Sequence, residues 1–402
     1  MRICMIAFGP IEERTGGYEV RCNYLIESLT DLGHDVYVLE FPATMAERRK
    51  DGFVTQSGKV KFVHLRGNEH ADSVFLRALS SHLGKSITIY PILFIRTQLY
   101  SIAELLKSRE IIKHCNVVFV ESVFFPFGIV LGRFIKKKVV LDTHYVGKLQ
   151  AQKYRKNSLN FWRLLTWDIL ERFASALSDL VIAVSEEEKS FLKKEYGVPE
   201  HKLLVVPVTV EIPRAKASTQ QLRENIEKWK LQDKIVIAFL GTLEAAPNRD
   251  AAKYILCELA PYVYERRKDV VFLIVGKGKE QFESSTLPNV VFTGFVKDVS
   301  PLLELSDLCI APLRFGSGVK TKVLEYMSHG KVVLTTPEGT QGITLGKGDS
   351  VIVSDMKDYR AKLIELIDNI VVIREKGRIN EEIIREHYSP SILRKRILKV
   401  LE

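Results

Sequence analysis

The chain has 402 residues, 46% apolar and 27% charged, enough for two or three domains with separate cores. Its 59 Lys and Arg against 49 Asp and Glu leave a net charge of +10, which admits nucleotides, nucleic acid or an acidic membrane surface as partners and excludes an acidic, solvated chain. The five cysteines form no C-x-x-C pair, so neither a disulfide framework nor a zinc ribbon is expected. No run reaches the ~18 apolar residues of a membrane span, and "MRICMIAFGP" is too strand-like for a signal peptide. The expected location is cytoplasmic, with the inner face of the membrane left open.

Short apolar runs alternate with helical patterns. Strands are expected over Arg2–Phe8, Asp35–Phe41, Lys59–Leu65, Val117–Glu121, Lys138–Asp142 and Leu180–Val184. A second series follows at Lys234–Gly241, Val270–Val275, Val290–Thr293, Leu308–Pro312, Lys331–Thr335 and Ser350–Val353. Val- and Ile-rich strands alternating with helices argue for parallel sheets covered on both faces. Pro207 and Pro213 lie in "LLVVPVTVEIPRAKAST", a stretch without periodicity that reads as the linker. The expected α/β architecture is two doubly wound Rossmann-like domains facing a cleft, residues 1–205 and 206–388. A terminal helix over 389–402 straps back on a neighbouring element. Ligands in such sheets sit at the carboxyl ends of strands.

After the first strand, "GPIEERTGG" leads into a helix whose buried face is Tyr18, Cys22, Leu25, Leu29 and Leu32, with Gly33 stopping it. Gly16 and Gly17 stand where backbone can approach a ligand closely; a simple tight turn is the alternative. "VVLDTHYVG" sets Asp142 and His144 at the rim of the same sheet. Between Arg133 and Arg163 nine Lys and Arg face one acid, Asp142, a basic stretch that can draw an acidic acceptor or anionic lipid. The run "VFFPFGIVLGRFI" that leads into it reads as a buried helix with a basic end. No interleaving of aromatic and basic residues supports nucleic acid.

The second series carries the strongest signal, "APLRFGSGVKTKVLEYMSHGKVVL". A helix expected to begin near Gly318 buries Val319, Val323 and Met327, and places Thr321, Glu325 and Ser328 on another face. Amides of Gly318, Val319 and Lys320, with the Lys320 ammonium, can hold a diphosphate. Glu325 lies about 8 Å further along the axis, at ~1.5 Å per residue, the reach of a ribose diol. The plain alternative is a surface helix with an i, i+3 Lys322–Glu325 pair. "FLGTLEAAPNRDAAKYIL" repeats the strand–turn–helix arrangement at Gly241 and Thr242, and "VVFTGFVKD" sets Phe295 and Val296 where a base could stack, unless Phe295 is core.

Four stretches resemble, in order, the retaining glycosyltransferases of the large B-type (GT-B) fold, family 4, group 1. They are "TGGYEVRCNYLIESLTDLGHDVYVL", "DLVIAVSEEEKSFLKKEYGVPEHKLLVVP", "FLGTLEAAPNRDAAKYI" and "NVVFTGFVKDVSPLLELSDLCIAPLRFGSGVKTKVLEYMSHGKVVLTTPEGTQGI". The resemblance implies a hexosyltransferase that moves sugar from a UDP or GDP donor to a glycan, lipid-linked or small-molecule hydroxyl. It implies no cofactor and no metal, because protein cations and helix dipoles neutralise the diphosphate. It assigns Glu325 to the ribose, and Lys320, Gly318, Val319 and the amides near Gly241 and Thr242 to the diphosphate. Gly16 and Gly17 approach the donor, and His144 contacts the transferring sugar. Lys320 or Arg314 counters the leaving charge. Many relatives carry an acid where this chain has Ser317. An epimerase of the same fold and an inactive sugar-binding subunit are the competing expectations.

Overall fold

Runs such as "RICMIAFG" and "IVIAFL" are apolar at consecutive positions, the pattern of strands covered on both faces. A computed structural model, describing residues 1–9, 11, 17–42, 53–65, 102–149, 159–213, 215–282, 287–316, 318–346 and 350–402, sets them at the centres of two sheets. The chain divides into two compact units, Met1–Thr209 with Leu393–Glu402, and Val210–Ile392.

The first unit holds β1 (Arg2–Gly9), β2 (Asp35–Pro42), β3 (Phe53–Ser57), β4 (Val60–His64), β5 (Val117–Val120), β6 (Lys138–Asp142), β7 (Leu180–Ala183) and β8 (Leu203–Val205). Their order across the sheet is β3-β4-β2-β1-β5-β6-β7-β8. Alternation along β1 feeds two cores. Ile3 and Met5 face one side with Cys22, Leu25 and Leu29 of the helix Gly17–Asp31. Cys4 and Ile6 face the other with Ile129, Trp167 and Leu170.

Two expectations need correction here. The sheet is not wholly parallel, because β3 runs antiparallel to β4, joined through Gly58 at φ +56°. A short, half-polar edge strand, Phe53–Ser57, lacks the apolar run that marks the inner strands. Leu203–Val205, read as the start of the linker, is instead strand β8, paired parallel to β7 from Val181↔Leu203 to Ala183↔Val205. The nearby prolines lie beyond its last ladder residue.

The second unit holds β9 (Ile235–Leu240), β10 (Val270–Val275), β11 (Val290–Gly294), β12 (Leu308–Ala311), β13 (Val333–Thr335) and β14 (Val351–Val353). All pairs are parallel, in the order β11-β10-β9-β12-β13-β14. Strand order therefore reverses at β1/β5 in one sheet and at β9/β12 in the other, the two points where doubly wound sheets open a crevice at their strand ends.

The terminal helix Pro390–Leu401 buries Leu393, Ile397 and Val400 in the first unit's core, and Arg394 pairs with Asp31 at 2.6 Å. Leu398 on the same helix is 45% exposed, and Val400 is buried.

Tyr326 underlies the β9/β12 switch point. Its hydroxyl accepts from the Leu240 amide at 2.7 Å and donates to the Ile310 carbonyl at 3.3 Å, and the residue is fully buried. Tyr326→Phe keeps the ring but strands the Leu240 donor. Urea unfolding is expected to show a loss of about 1–3 kcal/mol; an unchanged midpoint would show that the hydroxyl is not needed there.

Candidate functional site

In the second unit, the site is assembled from the turns that follow β9, β10, β11 and β12. The β9 turn lies against the β10 turn: Gly241 N donates to Val275 O at 2.9 Å and Leu243 N to Lys277 O at 2.7 Å. A Cβ on Gly276, at φ +149°, would stand 2.1 Å from Gly241 O, so only glycine admits this approach. A Cβ on Gly241 would in turn meet Lys322 Nζ at 2.7 Å. Asn248, on the helix Ala246–Tyr254, donates to Thr242 O at 2.9 Å and accepts from Lys322 Nζ at 2.6 Å.

The β12 loop ends in Gly318 at φ +66°, a turn outside the helix. The helix itself is Thr321–Ser328, so the expected start near Gly318 is three residues early. Lys320 stands at its N-cap with extended geometry and no side-chain cap. Lys320 is 8% exposed, and its ammonium donates to Gly318 O at 2.6 Å. The glycine turn and this lysine thus form one unit ahead of an electropositive helix end. Val323 and Met327 are buried as expected, whereas Val319 precedes the helix and is half-buried. Ser328 does not share an open face with Glu325; it is buried, with its hydroxyl on Glu325 O at 2.9 Å.

The surface pair Lys322–Glu325 does not form, since Lys322 turns to Asn248 and sits 4.4 Å from the centre of the Phe239 ring. Burial, with the Lys320 charge beside it, pushes the Lys322 ammonium down to about 7. Glu325 is half-buried, and its carboxylate makes no hydrogen bond or ion pair among the described residues. Burial first, and the Asp298 charge second, push it up to about 7. An ammonium held short of full charge and an unpartnered carboxylate on one short helix mark a place poised for a ligand.

Two other expectations are resolved around this helix. Arg314 grips Asp250 with Nε to Oδ2 at 2.7 Å and a second bond through Nη2, so its charge is already engaged. Phe295 is not core: it is 65% exposed after Gly294 at φ +73°, with Lys277 Nζ 5.0 Å from its ring centre, while Val296 is half-buried.

In the first unit, His144 follows β6 in the left-handed region at φ +53°, an uncommon conformation for a residue with a side chain. Its amide donates to Asp142 Oδ1 at 3.2 Å, its Nε2 lies 2.8 Å from Glu121 Oε2, and its ring is 4.5 Å from Tyr18. Glu121, just after β5, is fully buried, and its other oxygen has no hydrogen-bond partner among the described residues. Burial raises its carboxyl above the usual range, against the pull of His144. Asp142 forms a buried ion pair with Arg21 at 2.8 Å, and Arg21 also donates to the Val206 and Pro207 carbonyls. Beyond His144, the amides of Gly147 and Lys148 donate to buried Glu171, which burial pushes up to about 7.

Sequence reading missed Glu121 and Arg21. Glu121 carried the signal that Asp142 did, an acid closing an apolar strand. Cys22, Glu121 and His144 bring one ligand atom each within 4.8 Å of one another. Burial and the neighbouring carboxylates push the Cys22 thiol well up, away from the thiolate that metals take. Gly17 opens its helix in an exposed position. Gly16, Ser317 and residues 150–158 of the basic stretch lie outside the described residues.

Two family models match the chain. Residues 15–214 match Glycosyltransferase Family 4, and residues 234–369 match Glycosyl transferases group 1. A curated relative, the UDP-Gal:alpha-D-GlcNAc-diphosphoundecaprenol alpha-1,3-galactosyltransferase of Escherichia coli, is 24% identical over 226 residues. That match spans 52% of this chain and 56% of the relative. Among solved structures, HepE of Anabaena in complex with UDP and glucose superposes with a TM-score of 0.67 at 13% identity, covering 100% of this chain and 99% of that one. Sucrose-phosphate synthase of Thermosynechococcus elongatus gives 0.73 at 13% identity over 99% and 98% of the two chains. The trehalose-6-phosphate enzyme of E. coli bound with UDP-2-fluoro glucose gives 0.73 at 11% identity over 100% and 99%. At these identities the structures share the fold.

Proposed function

Because the chain belongs to the family 4-like, group 1 glycosyltransferases, built from Rossmann-like units in the GT-B fold, we propose that it transfers a hexose-type sugar from a UDP or GDP donor to a lipid-linked or glycan hydroxyl. The observation that carries this reading is Glu325: an unpartnered, half-buried carboxylate on the helix behind the Gly318–Lys320 turn. A ribose diol gives it the two donors it lacks. The diphosphate fits the turn amides, the Lys320 ammonium and the helix end. Phe295 offers a face to the base. The relative that acts on a diphosphoundecaprenol-linked sugar supports the lipid-linked class of acceptor and favours UDP.

The mechanism in this reading retains the anomeric configuration. The bond between the anomeric carbon and the diphosphate oxygen breaks, leaving an oxocarbenium-like sugar. The acceptor hydroxyl attacks from the departing face and passes its proton to the leaving phosphate. Lys320 and the helix end counter the charge that grows on the diphosphate, in place of a metal. His144, fixed by Glu121 and Asp142, acts at the transferring sugar. Catalysis then consists of charge stabilisation and positioning.

The test is to offer UDP- and GDP-hexoses with a polyprenyl-diphosphate sugar and to read the product's anomeric configuration by NMR. Retained configuration in an acceptor-dependent product is expected. Donor turnover without acceptor would favour an epimerase, and nucleotide binding without turnover over a broad acceptor panel would favour a sugar-binding subunit.

A further inference from the structure

The helices Pro126–Phe134 and Leu159–Leu177 pack on each other outside the first sheet. They lead into β6 and β7, adjacent parallel strands, so their carboxyl ends lie side by side; the ion pair between Arg133 and Asp179 clasps those ends. Their inner faces supply Ile129, Trp167, Leu170 and Ala174 to the core. Their outer faces are also apolar. Val130 and Phe134 stand i, i+4 on one helix, at 38% and 82% exposure. Leu165, Ile169 and Phe173 stand i, i+4, i+8 on the other, at 38%, 57% and 44%. This overturns the expectation that the first of these helices is simply buried.

Five large apolar side chains on two neighbouring helices form a patch rather than scattered surface residues. Arg133 and Arg172 on these helices pair with Asp179 and Asp168, and Lys136 and Lys137, which follow Phe134 in the chain, make no ion pair among the described residues. No helix among the described residues is long and apolar enough to cross a membrane. We propose that this two-helix face lies on an anionic lipid bilayer, its apolar residues entering the headgroup region and its cations meeting lipid phosphates. Apolar residues rimmed by cations are the chemistry of an interfacial surface. A second copy of the chain is the poorer occupant, because patch-on-patch contact would bring the Lys136 and Lys137 charges of both copies together. The inference deepens the reading of a lipid-linked acceptor, by placing the enzyme where such an acceptor resides, but it is tested without that acceptor.

The experiment is sedimentation of the full chain with phosphatidylcholine vesicles and with mixed phosphatidylcholine–phosphatidylglycerol vesicles. Binding is expected to the mixed vesicles, weakening with salt. Phe134→Ser with Ile169→Ser should lower partitioning at least about tenfold, and Lys136→Glu with Arg172→Glu should do the same by charge. Circular dichroism and the thermal shift produced by UDP monitor the fold and nucleotide site, and both should be unchanged. Wild-type partitioning in either folded variant would overturn the proposal. So would a wild-type dimer in light scattering that the serine variant converts to monomer. A chain that binds vesicles but transfers no sugar would leave this proposal standing and sink the glycosyltransferase reading; the reverse outcome separates them the other way.

Discussion

Lys320→Ala is expected to lower kcat by about 100- to 1,000-fold while weakening donor binding by less than about tenfold. The lysine is only 8% exposed, and its ammonium is held by Gly318 O at 2.6 Å ahead of the helix Thr321–Ser328. A group fixed before the reaction needs no rearrangement when charge moves to the leaving diphosphate. The ground-state diphosphate is also met by turn amides and the helix end, so its affinity depends less on this one side chain. Arg314 is a poor substitute, because Asp250 already engages it through two hydrogen bonds. Steady-state kinetics with saturating donor checks the split. Unchanged turnover would remove Lys320 from the chemistry, and an equal fall in affinity alone would reduce it to a binding contact.

Glu325→Gln is expected to weaken nucleotide-sugar binding by about 10- to 100-fold at pH 8, as a charge-assisted acceptor of two hydroxyls is replaced by a neutral amide. The pH dependence is sharper evidence. Burial pushes Glu325 up to about 7, so its ionised form, the better diol acceptor, fills in as pH rises through neutrality. Burial pushes Lys322 down to about 7, so its charge, which favours a diphosphate, is lost over the same interval. In the native protein the two trends oppose, and affinity should vary little between pH 6 and pH 8. In Glu325→Gln only the Lys322 limb remains, and affinity should fall as pH rises. Calorimetry with a UDP-hexose, whose diphosphate does not titrate there, reads this directly.

The same groups enter stability with definite signs. A carboxyl raised in the folded state binds more protons folded than unfolded, so its contribution worsens from about pH 4.5 to about 7. An ammonium lowered in the folded state binds fewer protons folded, so its contribution improves from about pH 7 to about 10.5. The combined cost of burying these two groups is therefore greatest near neutrality. A bound nucleotide-sugar that pairs both groups offsets it.

The inner strands were legible because burial on both faces writes unbroken apolar runs, as in β1 and β9. Edge strands β3 and β8 were not, since one side of each needs no cover and short polar sequences suffice. Gly318 was legible as a turn, but its place outside the helix depends on a backbone angle that residue type alone does not specify. Lys322 illustrates a deeper limit. Its i, i+3 spacing to Glu325 suggests a surface pair, yet its partner is Asn248, 74 residues earlier, brought in by the β9 turn. Glu325 then keeps no side-chain partner among the described residues. Arg21 shows the same limit from the first unit, a charge on a buried helical face explained only by Asp142 and the Val206 and Pro207 carbonyls.

In the proposed reading the Gly318–Lys320 turn holds a diphosphate while Glu325 holds its ribose. The most direct measurement is a crystal structure of the protein with UDP bound. Phosphate oxygens are expected within hydrogen-bond distance of the turn amides and Lys320 Nζ, and both ribose hydroxyls on the Glu325 carboxylate. UDP bound elsewhere, with that carboxylate turned to solvent, would contradict it.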